Sequence, residues 1–143
     1  MLLAKENNRA ALAQLYEAIE DLERIRCLRV EDVPVEFTKE RLVCTFRDSL
    51  IQRFRGSIEL FWKYLKRYEE EVLQLVLEVN APRSVITAAC KAKVISEADA
   101  EMLLEMLSGR NLTSHIYKEE VAEQLSAKIP EYYQLMNKYI EAL

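Results

Sequence analysis

The sequence has few of the residues that interrupt helices: two glycines and three prolines among 143 residues. Hydrophobic residues make up 50% and charged residues 31%, a balance typical of globular helical proteins rather than of disordered or fibrous chains. No apolar run approaches the roughly 20 residues that cross a bilayer, and the first residues lack the basic and then apolar regions of a signal peptide. We expect a single helical domain over residues 1–143 that is cytoplasmic and contacts no membrane.

The sequence also lacks the cysteine spacing of a disulfide-framed or zinc-binding protein. Its three cysteines, Cys27, Cys44 and Cys90, are scattered along the chain, which argues against both kinds of site. Paired carboxylates at metal spacing, a P-loop and glycine-rich turns are missing as well, so neither a metal nor another cofactor is predicted. The formal net charge of −4 gives no overall field that attracts polyanions, so binding to duplex DNA is disfavoured.

Apolar residues recur at three- and four-residue steps along five stretches, the pattern of amphipathic helices. The first helix is predicted over about residues 5–28 and the second over 38–76, with Thr38 as its N-cap. The connection at residues 30–35 contains Pro34 and is predicted to be irregular, with weak support for a short hairpin strand. At roughly 57 Å, the second helix either bends at Gly56 or projects and pairs with another chain. Its length therefore favours a homodimer or a helical partner.

The remaining three helices have recognisable starts. Asn80 to Pro82 is predicted to cap and open a short third helix that runs to about residue 93. Ser96 to Asp99 resembles a capping box for a fourth helix, and a fifth begins at about Lys118, with Pro130 predicting a kink. The predicted fold class is all-α, a five-helix up-and-down bundle.

The unusual chemistry of the sequence is concentrated in residues 110–117, RNLTSHIY, which contain the only histidine. If the fourth helix continues through Tyr117, then Arg110, Ser114 and Tyr117 lie within about 60° of one another. Asn111 and His115 then pair at i,i+4 on the adjoining face. These side chains together predict a polar surface that can hold a phosphate, since arginine offers a planar fork to its oxygens and the hydroxyls add donors.

The same residues suit acid–base chemistry without a metal. An unperturbed histidine pKa of about 6.5 lets His115 move a proton near neutral pH, and Arg110 can stabilise charge that grows on a phosphate during RNA cleavage. A simpler interpretation stays open, because a lone histidine after a helix is more often a capping or interface residue. Gly109, followed by polar residues, is also compatible with a helix end.

Two other features of the second helix have competing interpretations. Its basic residues are compatible with a nucleic-acid groove, but a solvated face is favoured because three glutamates follow at residues 69–71. Arg47 and Asp48 are interpreted either as part of a polar site or as an intrahelical charge pair worth ~0.3 kcal/mol.

Four separated motifs resemble those of one protein family in their order and spacing. They are RDSLIQRF at residues 47–54, ELFWK at 59–63, PR at 82–83 and RNLTSHIY at 110–117. On these motifs the chain resembles the nucleotidyltransferase substrate-binding proteins, a branch of the HEPN superfamily, over about residues 8–142.

The resemblance implies a helical bundle that forms a homodimer, with the Arg-x4-His motif of each subunit beside the dimer cleft. It also implies a separate, small nucleotidyltransferase chain that carries its own metal-binding carboxylates. The leading hypothesis is therefore a nucleotide- or substrate-binding subunit of a two-gene, toxin–antitoxin-like pair. Arg110 and His115 then bind the nucleotide or RNA in the cleft, with Asn111, Ser114 and Tyr117 beside them.

The resemblance also implies an alternative in which the chain is an endoribonuclease toxin. In related HEPN toxins the Arg and His of the motif, here Arg110 and His115, serve metal-independent RNA cleavage. The tyrosine of the longer Arg-x4-His-x-Tyr motif, here Tyr117, is there the target of nucleotidylation by the partner, which silences the toxin. A third, purely structural interpretation makes the motif a dimer contact.

Overall fold

The computed structural model describes residues 1–115 and 119–143, with the side chains of the first range described up to residue 111. These residues form five α-helices and, within the same ranges, no β-strand. The helices are α1 (Leu2–Cys27), α2 (Lys39–Glu71), α3 (Pro82–Lys91), α4 (Glu97–His115) and α5 (Glu119–Ala142). The predicted all-α class and the five predicted helices are confirmed.

Helix α2 is the centre of the bundle. It packs against α1, α3 and α5, while α4 packs against α3 and α5. Its fully buried side chains recur at steps of three or four residues, which places them along one face that the neighbouring helices cover. They include Leu50, Phe54, Ile58, Phe61 and Leu65. Burial of these apolar side chains supplies the main favourable free energy of folding.

The second helix differs from its predicted extent. It ends at Glu71, about five residues before the predicted end, because the backbone beyond Glu71 departs from the regular helical hydrogen-bond pattern. The amides of Val72 and Leu73 both donate to the Tyr68 carbonyl, and Gln74 has a left-handed φ of 55°. The helix runs without interruption through Gly56. Trp62 and Tyr64 are buried within the chain itself.

Two of the predicted helix starts are confirmed by hydrogen bonds. The Thr38 side chain accepts a hydrogen bond from the Arg41 amide, and the Ser96 hydroxyl accepts one from the Asp99 amide at 3.1 Å. The start of α3 is shifted by one residue, since its N-cap is Ala81 rather than Asn80. Ala81 offers no side-chain oxygen, and Pro82 occupies the first turn, where its missing N–H costs nothing.

Two irregular places in the sequence take defined structures. The connection between α1 and α2 contains a short 3-10 helix, Val30–Asp32, instead of a hairpin strand. Pro130 lies inside α5, which is helical on both sides of it. In the described part of the chain, no helix is long and apolar enough to cross a membrane.

Candidate functional site

The predicted site motif begins on the last turns of α4. The helix continues through Gly109 and Arg110 as far as His115, so the interpretation of Gly109 as a helix end was wrong. Gly109 instead lies against α5, where a Cβ atom added to it would be 3.2 Å from Cδ1 of Leu125. The glycine therefore allows a close approach of the two helices.

Arg110 forms an ion pair between α4 and α2. Its Nη1 donates to Oε1 of Glu59 at 2.5 Å, and its Nη2 donates to Oδ1 of Asn111 at 3.3 Å. The second oxygen of Glu59, Oε2, accepts a hydrogen bond from the Trp62 indole at 3.2 Å. The side chain of Arg110 keeps 19% of its surface exposed and that of Glu59 46%, so the pair lies at the edge of the protein surface.

Arg83, at the start of α3, contacts the same part of α4. Its Nη2 donates to the Ser108 hydroxyl at 2.6 Å, two residues before Arg110. Three of the four motifs that carry the family resemblance, those at residues 59–63, 82–83 and 110–117, thus converge on the last turns of α4. Motifs that are far apart in the sequence thus meet at one place in the fold.

The fourth motif contributes a buried arginine that contacts α5. Arg47 on α2 has 2% of its side chain exposed and donates to Oε1 of Glu119 at 3.2 Å and to Oε2 of Glu123 at 3.0 Å. Arg26, at the end of α1, donates to the other oxygen of Glu123 at 2.5 Å. The Cys44 thiol donates to Oε1 of Glu119 at 3.3 Å.

The charges of this group affect one another. Burial alone would raise the pKa of the Glu123 carboxyl, but hydrogen bonds from Arg47 and then Arg26 lower it below its usual value. The hydrogen bond to Glu119, together with burial, raises the pKa of the Cys44 thiol. Glu123 is thus held as a carboxylate, and Cys44 as a neutral thiol with low nucleophilicity.

A cavity of about 520 Å³ lies between α4 and α5. Its wall is mostly apolar and includes Ser108 and Gly109, directly before the motif. From α5 it is lined by side chains that include Val121, Leu125, Lys128 and Tyr132. Its size lies within the range of small-molecule sites.

The predicted site residues are described to different extents. Arg110 and Asn111 contact each other and Arg110 contacts Glu59. Ser114 and His115 belong to α4, but their side chains lie outside the described residues, and so does the whole of Tyr117. Among the residues searched, which are the described ones, no group of three His, Cys, Asp or Glu side chains could hold a metal ion.

Two sets of partners of the site residues were not predicted from the sequence. Glu59 and Trp62 were part of a quoted motif but not of the predicted site, although their spacing places both on one face of α2. The roles weighed for Arg47 did not include an ion pair with another helix. A usable signal was present, because Glu119 and Glu123 are spaced i,i+4 and so share a face of α5.

Comparisons with known proteins identify the family and the fold. The family model described as "Nucleotidyltransferase substrate binding protein like" matches residues 4–143. A protein of Thermus thermophilus with a known crystal structure is 30% identical, with a TM-score of 0.72, and the match covers 94% of this chain and 97% of that one.

A second solved structure is a mutant of the toxin–antitoxin pair MntA–HpeT. It is 13% identical with a TM-score of 0.64, and the match covers 94% of each chain. At this identity it shows the same fold alone. No curated protein matches the chain.

Proposed function

This chain belongs to the family of proteins like the nucleotidyltransferase substrate-binding protein, and on that premise we propose that it is a nucleotide-binding subunit of a separate nucleotidyltransferase. The observation that carries the proposal is the position of Arg110, which lies on the last turns of α4 where two other family motifs, at residues 59–63 and 82–83, also make contact, and which already binds a carboxylate. The protein acts as a homodimer, and the nucleotide or acceptor binds in the cleft beside residues 110–117.

A guanidinium at this place suits a phosphate group. Its fork binds carboxylate and phosphate oxygens in the same geometry, and Glu59 occupies part of that fork in the protein without ligand. A nucleotide phosphate carries more negative charge than one carboxylate, so it can replace Glu59 at the exposed edge of Arg110. Asn111, Ser114, His115 and Tyr117 supply the remaining polar contacts of this proposal.

The partner enzyme supplies the transfer chemistry. The neighbour named as the toxin–antitoxin pair MntA–HpeT has the same fold, which supports a role in a two-component, toxin–antitoxin-like system. In this arrangement the present chain binds the substrate, and the partner's carboxylates hold the metal ions for nucleotidyl transfer.

Co-expression with the nucleotidyltransferase of the neighbouring gene tests the proposal. We expect the two proteins to co-purify and the complex to bind ATP, used as the probe and followed by the fluorescence of Trp62, the only tryptophan. Arg110→Met should weaken ATP binding, whereas Arg67→Met, which removes an exposed arginine of α2, should not. Failure of both co-purification and ATP binding would contradict the proposal.

A metal-independent endoribonuclease is the second candidate. It is favoured by the presence of Arg110 and His115 on one helix, with His115 as the base and Arg110 as the phosphate clamp. Induction of the chain alone should then stop growth, and His115→Ala or Arg110→Ala should abolish the toxicity. Nucleotidylation of Tyr117 by the partner should silence it and appear in the intact mass as attached AMP. Harmless expression and intact RNA would exclude this candidate.

A further inference from the structure

Arg47 heads the residues with the largest fully buried side chains in the described part of the protein. It lies on α2, yet the carboxylates bound to it belong to α5, 72 and 76 residues further along the chain. These two carboxylates, Glu119 and Glu123, lie in the first two turns of α5 and face the same side. The buried guanidinium therefore fixes the start of α5 against α2.

Other side chains strengthen this connection. Arg26 from α1 binds Glu123 at 2.5 Å, and Cys44 from α2 donates to Glu119 at 3.3 Å. We call these five residues, Arg26, Cys44, Arg47, Glu119 and Glu123, the Arg47 cluster. It joins α1, α2 and the first turns of α5 at one point, so that α5 begins in a defined place.

The start of α5 is directly connected to the predicted site. Helix α4 ends at His115 and α5 begins at Glu119, so four peptide steps, at most roughly 14 Å of extended chain, separate their Cα atoms. At the other side, Arg110 and Ser108 are bound to Glu59 and Arg83. The last described turns of α4 and the first turns of α5 are therefore each bound to the rest of the bundle, and the Arg47 cluster makes the second of these connections.

We propose that Arg47 is a positioning residue for the proposed nucleotide site at residues 110–117, and that it acts by fixing the first turns of α5, the helix that follows the motif in the chain. The proposal rests on the proposed function, because the site that is positioned is the nucleotide site. An apolar side chain of similar size could fill the same space, but it would not fix the register between α2 and α5. The planar fork of arginine does so, since each carboxylate must meet a nitrogen at a set angle.

The charges of the Arg47 cluster are compatible with a positioning role and do not favour binding of a nucleotide. Both Arg47 and Arg26 are engaged by carboxylates of α5. A cavity of about 570 Å³ beside Arg47 is lined by further charged side chains, Lys39, Glu40 and Glu120, and its carboxylates outnumber its cations. An anionic nucleotide is repelled from such a place. Arg47 thus acts on the site through the backbone of α5 and not by contact with the ligand.

The test combines a variant of Arg47 with a reporter in the motif. His115 is the only histidine, so its ring protons give a single, unambiguous set of NMR signals. In Arg47→Met we expect a changed chemical shift and titration midpoint for His115. ATP, the probe ligand, should bind roughly tenfold more weakly, a loss usual for groups that hold a site's geometry from outside. Arg47→Lys, which keeps the charge but not the fork, should recover only part of the affinity.

The matched control is Arg9→Met. Arg9 of α1 forms an ion pair with Glu141 at the opposite end of α5, with Nε 2.9 Å from Oε1. This variant also removes an arginine that joins α5 to the rest of the bundle, but far from the motif in the sequence. The His115 signals and the affinity for ATP should stay at their wild-type values, which separates positioning of the motif from the loss of any arginine–carboxylate pair that joins α5 to the bundle.

Each outcome has a distinct meaning. A folded Arg47→Met protein with unchanged His115 signals overturns the inference, whatever ATP does. If the wild-type protein and its complex fail to bind ATP, the proposed function fails, while the His115 signals still test the role of Arg47. If Arg47→Met does not fold, Arg47→Lys replaces it. This variant keeps a positive charge for Glu119 and Glu123 but lacks the planar fork, so unchanged His115 signals in it equally overturn the inference.

Discussion

The guanidinium of Arg110 on α4 and the carboxylate of Glu59 on α2 form an ion pair, with Nη1 and Oε1 2.5 Å apart. The Trp62 indole donates to the other oxygen of the same carboxylate. Glu59 thus connects the first residue of the motif with the only tryptophan. Any anionic ligand that binds Arg110 competes with this internal carboxylate, and Trp62 senses the exchange.

Glu59→Gln should increase the affinity for a nucleotide phosphate. The amide keeps the shape of the side chain but removes the negative charge that competes for Arg110. Because the pair is partly exposed, its contribution is about 1 kcal/mol or less, which corresponds to an increase in ATP affinity of up to about fivefold. Titration of Trp62 fluorescence with ATP measures the change, and the tryptophan emission of the free protein should also shift.

Glu71→Gln is the control for this effect. Glu71 lies on the same helix and pairs with Arg67 at 3.1 Å, so the substitution makes the same change in net charge at another arginine. Its affinity for ATP should equal that of the wild type. An equal gain in both variants would show that net charge, and not the contact with Arg110, controls binding.

Glu69 should make the protein less stable as the pH rises. Its carboxyl is 1% exposed and neither oxygen has a hydrogen-bond partner among the described residues; burial, and then the neighbouring charge of Glu70, raises its pKa from 4.5 to about 7. The folded state therefore binds the proton more tightly than the unfolded state. Its contribution to stability is present below pH 4.5 and is lost as the pH rises through 7, a change of about 3 kcal/mol.

Urea unfolding at pH 5 and pH 8 checks this prediction. Glu69→Gln has no titrating group at position 69. The free energy of unfolding of this variant, relative to that of the wild type, should therefore be higher at pH 8 than at pH 5. Glu17→Gln, a change at an exposed position of α1, should follow the wild type at both. If the difference between wild type and Glu69→Gln is independent of pH, the carboxyl does not titrate in this range.

Tyr139→Phe should weaken the contact between the start of α4 and the end of α5 and so destabilise the protein. The Tyr139 hydroxyl and the Lys138 ammonium both donate to Oδ2 of Asp99 in the first turn of α4. The hydrogen bond from Tyr139, and to a smaller extent that from Lys138, lowers the pKa of the Asp99 carboxyl. The stabilisation of the folded state by the Asp99 carboxylate is therefore present at neutral pH and is lost as the pH falls through the lowered pKa. The variant should lose about 1–2 kcal/mol at pH 7, and the pKa of Asp99, followed by carboxyl NMR, should rise.

Tyr133→Phe provides the comparison. Tyr133 lies on the same helix and packs its ring 5.4 Å from that of Tyr16, so the variant also removes one hydroxyl but leaves Asp99 untouched. Its Asp99 signal should titrate as in the wild type. A similar shift in both variants would mean that the pKa of Asp99 does not depend on the bond from Tyr139.

The two glycines should respond differently to alanine. Gly56 lies in the middle of α2, and beyond its chain neighbours and the backbone of its own helix no atom lies within 4 Å of an added Cβ. Gly56→Ala should therefore stabilise the protein by about 0.5–1 kcal/mol through helix propensity alone. Gly109→Ala gains the same propensity, but its Cβ meets Leu125 at 3.2 Å. Leu125 also borders the cavity between α4 and α5 and can move into it, so we expect a smaller gain.

Thermal or urea unfolding of the two variants measures this difference. The double variant Gly109→Ala with Leu125→Val, compared with Leu125→Val alone, should recover the full gain because the shorter side chain removes the contact. A destabilised Gly109→Ala protein would show that Leu125 cannot shift, and that close packing of α4 on α5 requires the glycine.

Much of the fold could be predicted from the sequence because its signals are local. The spacing of Leu50, Phe54 and Ile58 identified the buried face of α2, and Thr38 and Ser96 identified helix starts through bonds to residues three positions away. The end of α2 was missed because apolar residues continue to Val76. There a left-handed residue at Gln74, and not a polar break in the pattern, ends the helix.

The sequence by itself determined the five helices and located the polar motif at residues 110–117, because periodicity, capping and residue chemistry are properties of neighbouring residues. Only the tertiary structure decided that Arg110 meets Glu59 and that Arg47 meets Glu119 and Glu123. These partners are 51 to 76 residues apart in the chain. Their pairing depends on how the helices pack and on which charged groups that packing removes from water, and no local pattern encodes either.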